Sequence, residues 1–129
     1  MPWVVDASAL VEVLIQSDLG KAVSQVFGEE NLLAPDLINP EVLSSLRRLA
    51  SVGAIGAERV SEAVADLSSA PIERVSTDTL IGEVWSLRDQ LTPYDACYVA
   101  LARSLGCGVV TCDKRMSRAH NLGVPIVAL

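Results

Sequence analysis

Short apolar runs and longer segments with helical periodicity alternate along the whole chain. The short runs predict strands at residues 3–7, 31–34, 72–75, 108–111 and 125–128. Between them, apolar positions recur every three or four residues and predict helices at residues 9–15, 19–27, 37–49, 57–67, 77–91, 95–105 and 114–120. This alternation is typical of an α/β fold in which helices cover both faces of a parallel sheet.

Two of the predicted helices begin at residues that commonly cap helix N-termini. Ser17 or Asp18 is expected to cap the second helix. Thr77 or Asp78 is expected to cap the helix at residues 77–91.

Length and composition indicate one globular domain. The chain has 129 residues, half of them hydrophobic, so it is long enough to bury a core and too apolar to be disordered. We therefore expect a single domain over residues 1–129. No apolar run reaches the roughly 18 residues of a membrane-spanning helix. The opening segment, MPWVVDAS, is not typical of a signal peptide, so we expect a cytoplasmic protein that does not enter a membrane.

Cysteine and histidine are too few for a structural zinc site or a serine–histidine–aspartate triad. The three cysteines, Cys97, Cys107 and Cys112, form no C-x-x-C pair. His120 is the one histidine and is expected at a helix C-terminus. Any reaction must therefore depend on carboxylates, hydroxyls or thiols.

Four acidic residues follow predicted strands or begin predicted helices: Asp6, Glu41, Asp95 and Asp113. Ligands of parallel α/β sheets bind at the carboxyl ends of strands, near the point where the strand order reverses. The four acids are therefore candidates for one shared site. Taken singly, each has another interpretation, as a turn residue (Asp6, Asp113), a helix cap (Asp95) or a complement to a helix dipole (Glu41).

Four carboxylates in one pocket require cations, because like charges at close range cannot all stay ionised. Oxygen ligands favour Mg²⁺ or Mn²⁺ over zinc, and such a site can activate water and stabilise the transition state of phosphodiester cleavage. Ser8 and Thr111, each two residues from an acid, are candidates to orient carboxylates or a metal-bound water. Helix capping and ordinary strand propensity are the alternatives for these two hydroxyls.

The net charge of −6 excludes a generally basic protein that coats nucleic acid. The C-terminal part is locally basic, and its candidates for contacts with phosphates are Arg103, Lys114, Arg115 and Arg118. Arg47 and Arg48 are candidates to contact RNA or a partner, with a solvated helix face as the alternative. Trp85 and Tyr98 are expected in the core or an interface rather than against a base.

Three segments, taken in order, resemble the PIN-domain family and most closely the VapC-type toxins of toxin–antitoxin operons. They are VVDASAL near the start, PEVLSSLRR in the middle, and TPYDACYVALARSLGCGVVTCDKRM, which a short apolar strand follows. Each motif alone is weak, whereas the ordered set is specific and covers nearly the whole chain.

The resemblance implies a three-layer α/β/α sandwich with a central parallel sheet and a Mg²⁺- or Mn²⁺-dependent endoribonuclease. The four acids of the family fall on Asp6, Glu41, Asp95 and Asp113. The resemblance implies that these four residues bind the metal and are catalytic. The hydroxyl of the family's T-x-D element falls at Thr111. Some relatives carry a further acid a few residues later, where this chain has KRMS, so a fifth carboxylate ligand is not expected.

The resemblance also implies an RNA substrate, a homodimer and a small VapB-like antitoxin whose tail enters the active site. The apolar fraction agrees with a subunit interface, since so short a chain cannot hide all of it. We expect the second subunit to cover the Trp85 region or the helical stripe formed by Leu37, Val42, Leu46 and Leu49. An arginine of the antitoxin would suit the acidic pocket, because a guanidinium pairs bidentately with carboxylates.

Two other functions stay open on the sequence alone. Aspartyl-phosphate phosphatases also begin with an Asp after the first strand, but they need a second Asp two residues later, where this chain has Ser8. The second open function is that of a non-catalytic PIN-like domain that binds RNA or a partner. The four acids argue against it, because an unused cluster of like charges is an electrostatic cost.

Overall fold

The apolar runs form one fully parallel sheet with the strand order β3-β2-β1-β4-β5. The computed structural model describes residues 1–119 and 121–129, so the prediction for His120 lies outside the described residues. The strands are β1 (Trp3–Val5), β2 (Leu32–Pro35), β3 (Ile72–Val75), β4 (Gly108–Thr111) and β5 (Ile126–Ala128). All five lie where the hydrophobic pattern predicts strands.

The segments of helical periodicity form helices between these strands. They are α1 (Ala7–Leu14), α2 (Asp18–Phe27), α3 (Ile38–Ser51), α4 (Ala57–Ser69), α5 (Ile81–Ser86), α6 (Pro93–Leu105) and α7 (Lys114–Arg118). Ser17 caps α2, because its hydroxyl accepts a hydrogen bond from the backbone N–H of Gly20 at 2.9 Å. None of these helices is long and apolar enough to cross a membrane, as judged on the described residues.

The helices cover both faces of the sheet, which confirms the predicted three-layer α/β/α arrangement. The strand order reverses at β1, and crossovers between parallel strands are right-handed. The helices from α1 to α4 therefore lie on one face and those from α5 to α7 on the other. α6 packs directly on β1, β2 and β4, whereas α1 packs against α2 and α3.

The centre of the sheet is closed to solvent. Val4 and Val5 of β1 and Val109 and Val110 of β4 have no exposed surface, as expected for strands covered on both faces. Close packing fixes the ends of these two strands relative to each other. The residues that follow β1 and β4 are therefore held in fixed positions.

The helix predicted at residues 77–91 is wrong in its extent. A short 3₁₀ turn at Thr77–Leu80 comes first, capped by Ser76 rather than by Thr77 or Asp78, and α5 ends at Ser86. α5 buries none of its own residues, so little packing extends it. Leu87 and Leu91 are still buried, which explains the apolar pattern without a continuous helix.

The stripe on α3 serves the chain's own core and not a second subunit. Val42 and Leu46 are fully or almost fully buried. Leu37 and Leu49 are partly buried and pack against the same core. This burial corrects the expectation that these four residues form a subunit interface. Trp85, which marks the other expected interface region, is 65% exposed.

Candidate active site

Asp6 directly follows β1 and caps α1, which places its carboxylate where the strand order reverses. Oδ1 accepts hydrogen bonds from the Ser8 hydroxyl at 2.6 Å and from the Ala9 backbone N–H at 3.1 Å. Oδ2 accepts one from the Thr111 hydroxyl at 2.5 Å. The side chain is 4% exposed, and this burial raises its pKa although the three hydrogen bonds lower it.

Two hydroxyls join the end of β1 to the end of β4. Besides donating to Asp6, the Ser8 hydroxyl accepts a hydrogen bond from the Cys112 backbone N–H at 2.9 Å. The Thr111 hydroxyl accepts one from the Asp113 backbone N–H, also at 2.9 Å. Ser8 and Thr111 therefore orient one acid directly and fix the backbone leading to another.

Glu41 lies in the first turn of α3 and is half-buried. Its Oε1 accepts a hydrogen bond of 2.6 Å from the hydroxyl of Tyr98, a residue of α6 that is 1% exposed. Burial raises the pKa of Glu41, and the charges of Asp95 and Asp6 raise it further. The pKa of Tyr98 is raised as well, mainly by burial and by its bond to Glu41, so the phenol stays a donor.

The sequence indicated Tyr98 only as a core or interface residue, and its contact with Glu41 joins positions 57 apart in the chain. One local signal was available. Tyr98 lies three residues after Asp95 on the same helix, and residues at that spacing share a helix face.

Asp95 lies in the first turn of α6, three residues after Thr92, which caps the helix. The Thr92 hydroxyl accepts a hydrogen bond from the Asp95 backbone N–H at 3.2 Å. Burial raises the pKa of the Asp95 carboxyl, and the charge of Asp113 raises it further. The two acids therefore interact electrostatically across the site.

Asp113 caps α7 and differs from the other three acids because it has an ion-pair partner. Arg115 Nη2 lies 2.6 Å from Asp113 Oδ2, and Arg115 Nε lies 3.1 Å from Oδ1. The hydrogen bond from Arg115 holds the pKa of Asp113 below its usual value, against the effect of burial. Asp113 therefore stays ionised more readily than its neighbours.

All four acids line one open pocket of about 370 Å³. The described lining also includes Ala7, Ser8, Ser44, Ser45, Arg48, Tyr98 and Arg115. Burial and like charges raise the pKa of Asp6, Glu41 and Asp95, which is the electrostatic signature of a site that a cation would stabilise.

The donor chemistry of this pocket fits Mg²⁺ or Mn²⁺, which prefer carboxylate and hydroxyl oxygens. As the side chains are placed, no three carboxylates of residues 1–119 and 121–129 form a ready-made ligand set. Arg115 also contacts both oxygens of Asp113. Binding of a metal by all four acids therefore requires side chains to rotate and the Arg115 contact to loosen.

The four basic residues predicted as candidates for phosphate contacts do not all lie at the pocket. Arg115 lines the pocket. Arg103 donates a hydrogen bond to the Leu122 carbonyl and pairs with Glu83 at 3.3 Å, so it ties α6 to the C-terminal segment and α5. Lys114 and Arg118 are exposed and do not belong to the described lining.

The thiols are unsuited to nucleophilic chemistry. Burial raises the pKa of Cys97 and Cys107, and burial with the charge of Asp6 raises that of Cys112 to about 11. Since the thiolate is the reactive form, all three are inert near neutral pH. The chemistry of the pocket is left to its carboxylates.

Three solved structures share the fold. PAE2754 from Pyrobaculum aerophilum matches with a TM-score of 0.72 and 23% identity, covering 98% of this chain and 84% of that one. The sarcin–ricin loop cleaving toxin VapC20 of Mycobacterium tuberculosis matches with a TM-score of 0.68 and 16% identity, covering 95% and 98%. VapBC2 from Rickettsia felis, bound to a DNA fragment from its promoter, matches with a TM-score of 0.66 and 11% identity, covering 98% of each chain.

Sequence comparison is more specific than the shared fold. The PIN domain family model matches residues 3–122. Ribonuclease VapC9 of Mycobacterium tuberculosis is 35% identical over 126 residues, which cover 98% of this chain and 97% of that protein. Ribonuclease VapC3 of the same organism is 38% identical over 117 residues, covering 90% and 85%. The pocket of four carboxylates thus lies in a chain that belongs to the PIN domain family, among its VapC ribonucleases.

Proposed function

We propose that this chain is a metal-dependent endoribonuclease toxin, a single PIN domain over residues 1–129 that cleaves phosphodiester bonds of RNA. The observation that carries the proposal is the convergence of Asp6, Glu41, Asp95 and Asp113 on one pocket. The relatives named as ribonucleases support the reaction, and the toxin that cleaves the sarcin–ricin loop supports the class of substrate. An RNA substrate is consistent with action in the cytoplasm.

The four acids would hold Mg²⁺ or Mn²⁺ through their carboxylate oxygens. When bound, such an ion lowers the pKa of a water molecule and stabilises the charge that develops on the phosphate. Asp6 is the most constrained of the four, since Ser8 and Thr111 fix both of its oxygens. It is therefore the acid best prepared to bind without rearrangement.

Glu41 has a second role available to it. Tyr98 holds Oε1, which leaves Oε2 for the metal or for a proton of the attacking water. Its raised pKa brings this carboxylate nearer to the pH at which it would work as a base. Tyr98 is a positioning residue, because it acts on the reaction only through Glu41.

A cleavage assay tests the function. Wild-type protein is incubated with total bacterial RNA in Mg²⁺, in Mn²⁺ and in excess EDTA, beside the isosteric variant Asp95→Asn. We expect discrete cleavage in either metal, none in EDTA, and a loss of at least about 100-fold in the variant, as for loss of a group central to a metal site. Undiminished cleavage in EDTA, or by the variant, would contradict the proposal.

We also propose a VapB-like antitoxin as partner, supported by the shared fold with VapBC2 and by the acidity of the pocket. A cationic side chain of the antitoxin, best an arginine, would pair with these carboxylates in place of metal. Inhibition should then weaken as Mg²⁺ rises. Antitoxin affinity that is unchanged by Mg²⁺ and by the double variant Asp6→Asn, Asp113→Asn would exclude pocket filling.

A homodimer is supported by an exposed apolar surface on the α5 side of the molecule. Ile81 is 68% exposed and Trp85 is 65% exposed, and both line an apolar pocket of about 290 Å³ that Pro93 and Cys97 also border. Exposed apolar clusters of this kind commonly mark interfaces. Light scattering should give a dimer for wild type and a monomer for Trp85→Ser, with Val52→Ser, an exposed apolar residue elsewhere, still a dimer.

A further inference from the structure

One face of α3 extends the pocket beyond the carboxylates. Glu41, Ser44, Ser45 and Arg48 are spaced so that they lie on the same side of the helix. All four line the pocket. At 1.5 Å per residue, Arg48 lies about 10 Å along the helix from Glu41. This face of α3 therefore carries an acid at one end of the pocket and the cation of Arg48 at the other.

Arg48 differs from the other cation of the lining. Arg115 pairs with Asp113, whereas the guanidinium of Arg48 has no hydrogen bond or ion pair within residues 1–119 and 121–129. Its side chain is exposed, although four carboxylates line the same pocket. Five donors of one pocket-lining guanidinium are thus available to a ligand.

The adjacent arginine shows that this placement is specific. Arg47 is also exposed on α3, but one residue of helix turns it by about 100° relative to Arg48. Arg47 is not part of the described lining. The sequence pattern does not distinguish the two arginines, and the structure separates them.

We propose that Arg48, with the hydroxyls of Ser44 and Ser45, binds an RNA phosphate next to the one that is cleaved. This inference rests on the proposed function and adds a substrate-binding subsite to it. A polyanion entering a pocket of four carboxylates needs a compensating cation away from the metal ligands. An arginine grips a phosphate bidentately, and hydroxyls complete such contacts without reading the base, so the subsite positions RNA rather than specifying its sequence.

A binding assay with a matched control tests the subsite. A fluorescein-labelled RNA hairpin of mixed sequence is titrated in Mg²⁺ and followed by anisotropy, in an Asp95→Asn background that keeps the RNA intact. Arg48→Gln and Arg47→Gln remove the same charge from the same helix one residue apart. We expect about tenfold weaker binding for Arg48→Gln, and little change for Arg47→Gln.

Salt dependence and a conservative variant separate a phosphate contact from a general loss of charge. The slope of log affinity against log salt should fall in magnitude by about one for Arg48→Gln and stay unchanged for Arg47→Gln. Arg48→Lys should recover part of the affinity, since it keeps the charge but loses the bidentate geometry.

Equal effects of the two glutamine variants on affinity and slope would overturn the subsite. So would unchanged RNA binding by Arg48→Gln together with weakened antitoxin binding, which would make this face a protein contact. The anisotropy titration measures binding in an inactive background, so its outcome does not depend on whether the wild-type chain cleaves RNA. Failure of wild-type protein to cleave RNA in Mg²⁺ or Mn²⁺ would instead remove the proposed function.

Discussion

Asp6 and Asp113 lie in one pocket, but their pKa values are shifted in opposite directions. Asp6 is enclosed and receives only neutral donors, so burial raises its pKa. Asp113 is more exposed and pairs with Arg115, which lowers its pKa. A cation entering the pocket therefore relieves an unfavourable charge at Asp6 but must compete with a favourable pair at Asp113.

Tyr98→Phe isolates the positioning of Glu41, because it removes one hydroxyl and keeps the buried ring. We expect Mn²⁺ affinity, measured by isothermal titration calorimetry, to fall about tenfold, as for other groups that orient metal ligands. kcat should fall with it, while KM for RNA stays close to wild type.

Tyr94→Phe is the matched control, since Tyr94 lies on the same helix and is 65% exposed. It should bind Mn²⁺ like wild type. Equal Mn²⁺ affinity in both variants would mean that Tyr98 serves only the core.

That Asp6 and Asp113 line one pocket could be predicted from the sequence, because strand ends are local features, visible as β-rich runs followed by a polar residue. Asp6 directly follows β1 and Asp113 lies two residues beyond β4, and the parallel register of Val5 with Val110 brings those ends together. The bond from Tyr98 to Glu41 could not be found in this way. It joins α3 to α6, which lie on opposite faces of the sheet, so no local pattern in the sequence encodes it.

At the scale of elements, α1 and α2 approach each other closely enough to require a glycine. A Cβ built on Gly20 would lie 2.1 Å from the carbonyl oxygen of Glu12 in the backbone of α1. This close approach fixes the position of α2 against α1, the helix that Asp6 caps. Periodicity predicted both helices but not their separation, because hydrophobic spacing does not report interaxial distance.

Gly20→Ala should therefore destabilise the fold by about 1–3 kcal/mol, because backbone atoms of α1 cannot yield as a side chain can. Urea denaturation measures this directly. Gly82→Ala is the control, since nothing lies within 4 Å of a Cβ there, and it should be neutral or stabilising. Equal stability of the two variants would show that α1 and α2 can separate at little cost.

The extent of α5 shows that hydrophobic periodicity can predict which residues are buried without predicting where a helix ends. Leu80, Leu87 and Leu91 are spaced as on one helix, and all three are buried. The backbone nevertheless leaves the helix after Ser86, where the Arg88 guanidinium donates to the Trp85 carbonyl. The burial of these leucines was predictable from their spacing, whereas the end of the helix at Ser86 was not.

Across the whole molecule, the carboxylates of the acidic pocket make the stability of the fold depend on pH. Asp6, Glu41 and Asp95 have pKa values raised by folding, so the folded state binds their protons more tightly than the unfolded state. Their contribution to stability is greatest below the unfolded pKa values of about 4 and is lost as pH rises through the raised values. Asp113 contributes in the opposite sense, since its pKa is lowered.

In EDTA, the wild-type melting temperature should consequently fall through these three acids as the pH rises above about 4. Asp95→Asn should weaken this decline and be more stable than wild type at pH 7, by less than about 1 kcal/mol because solvent screens a half-buried charge. Saturating Mn²⁺ should reverse the order. A variant less stable than wild type in EDTA at pH 7 would show that Asp95 does not carry this repulsion.

The central claim is that four carboxylates from separate elements form one metal site. A crystal structure of the protein soaked in Mn²⁺, with anomalous difference density collected for manganese, tests it most directly. We expect a manganese peak in the pocket, with carboxylate oxygens of Asp6, Asp95 and Asp113 at about 2.0–2.3 Å, Glu41 bound directly or through a water molecule, and Arg115 turned away from Asp113. A saturated crystal with no manganese in this pocket, or with manganese bound only elsewhere, would contradict the account.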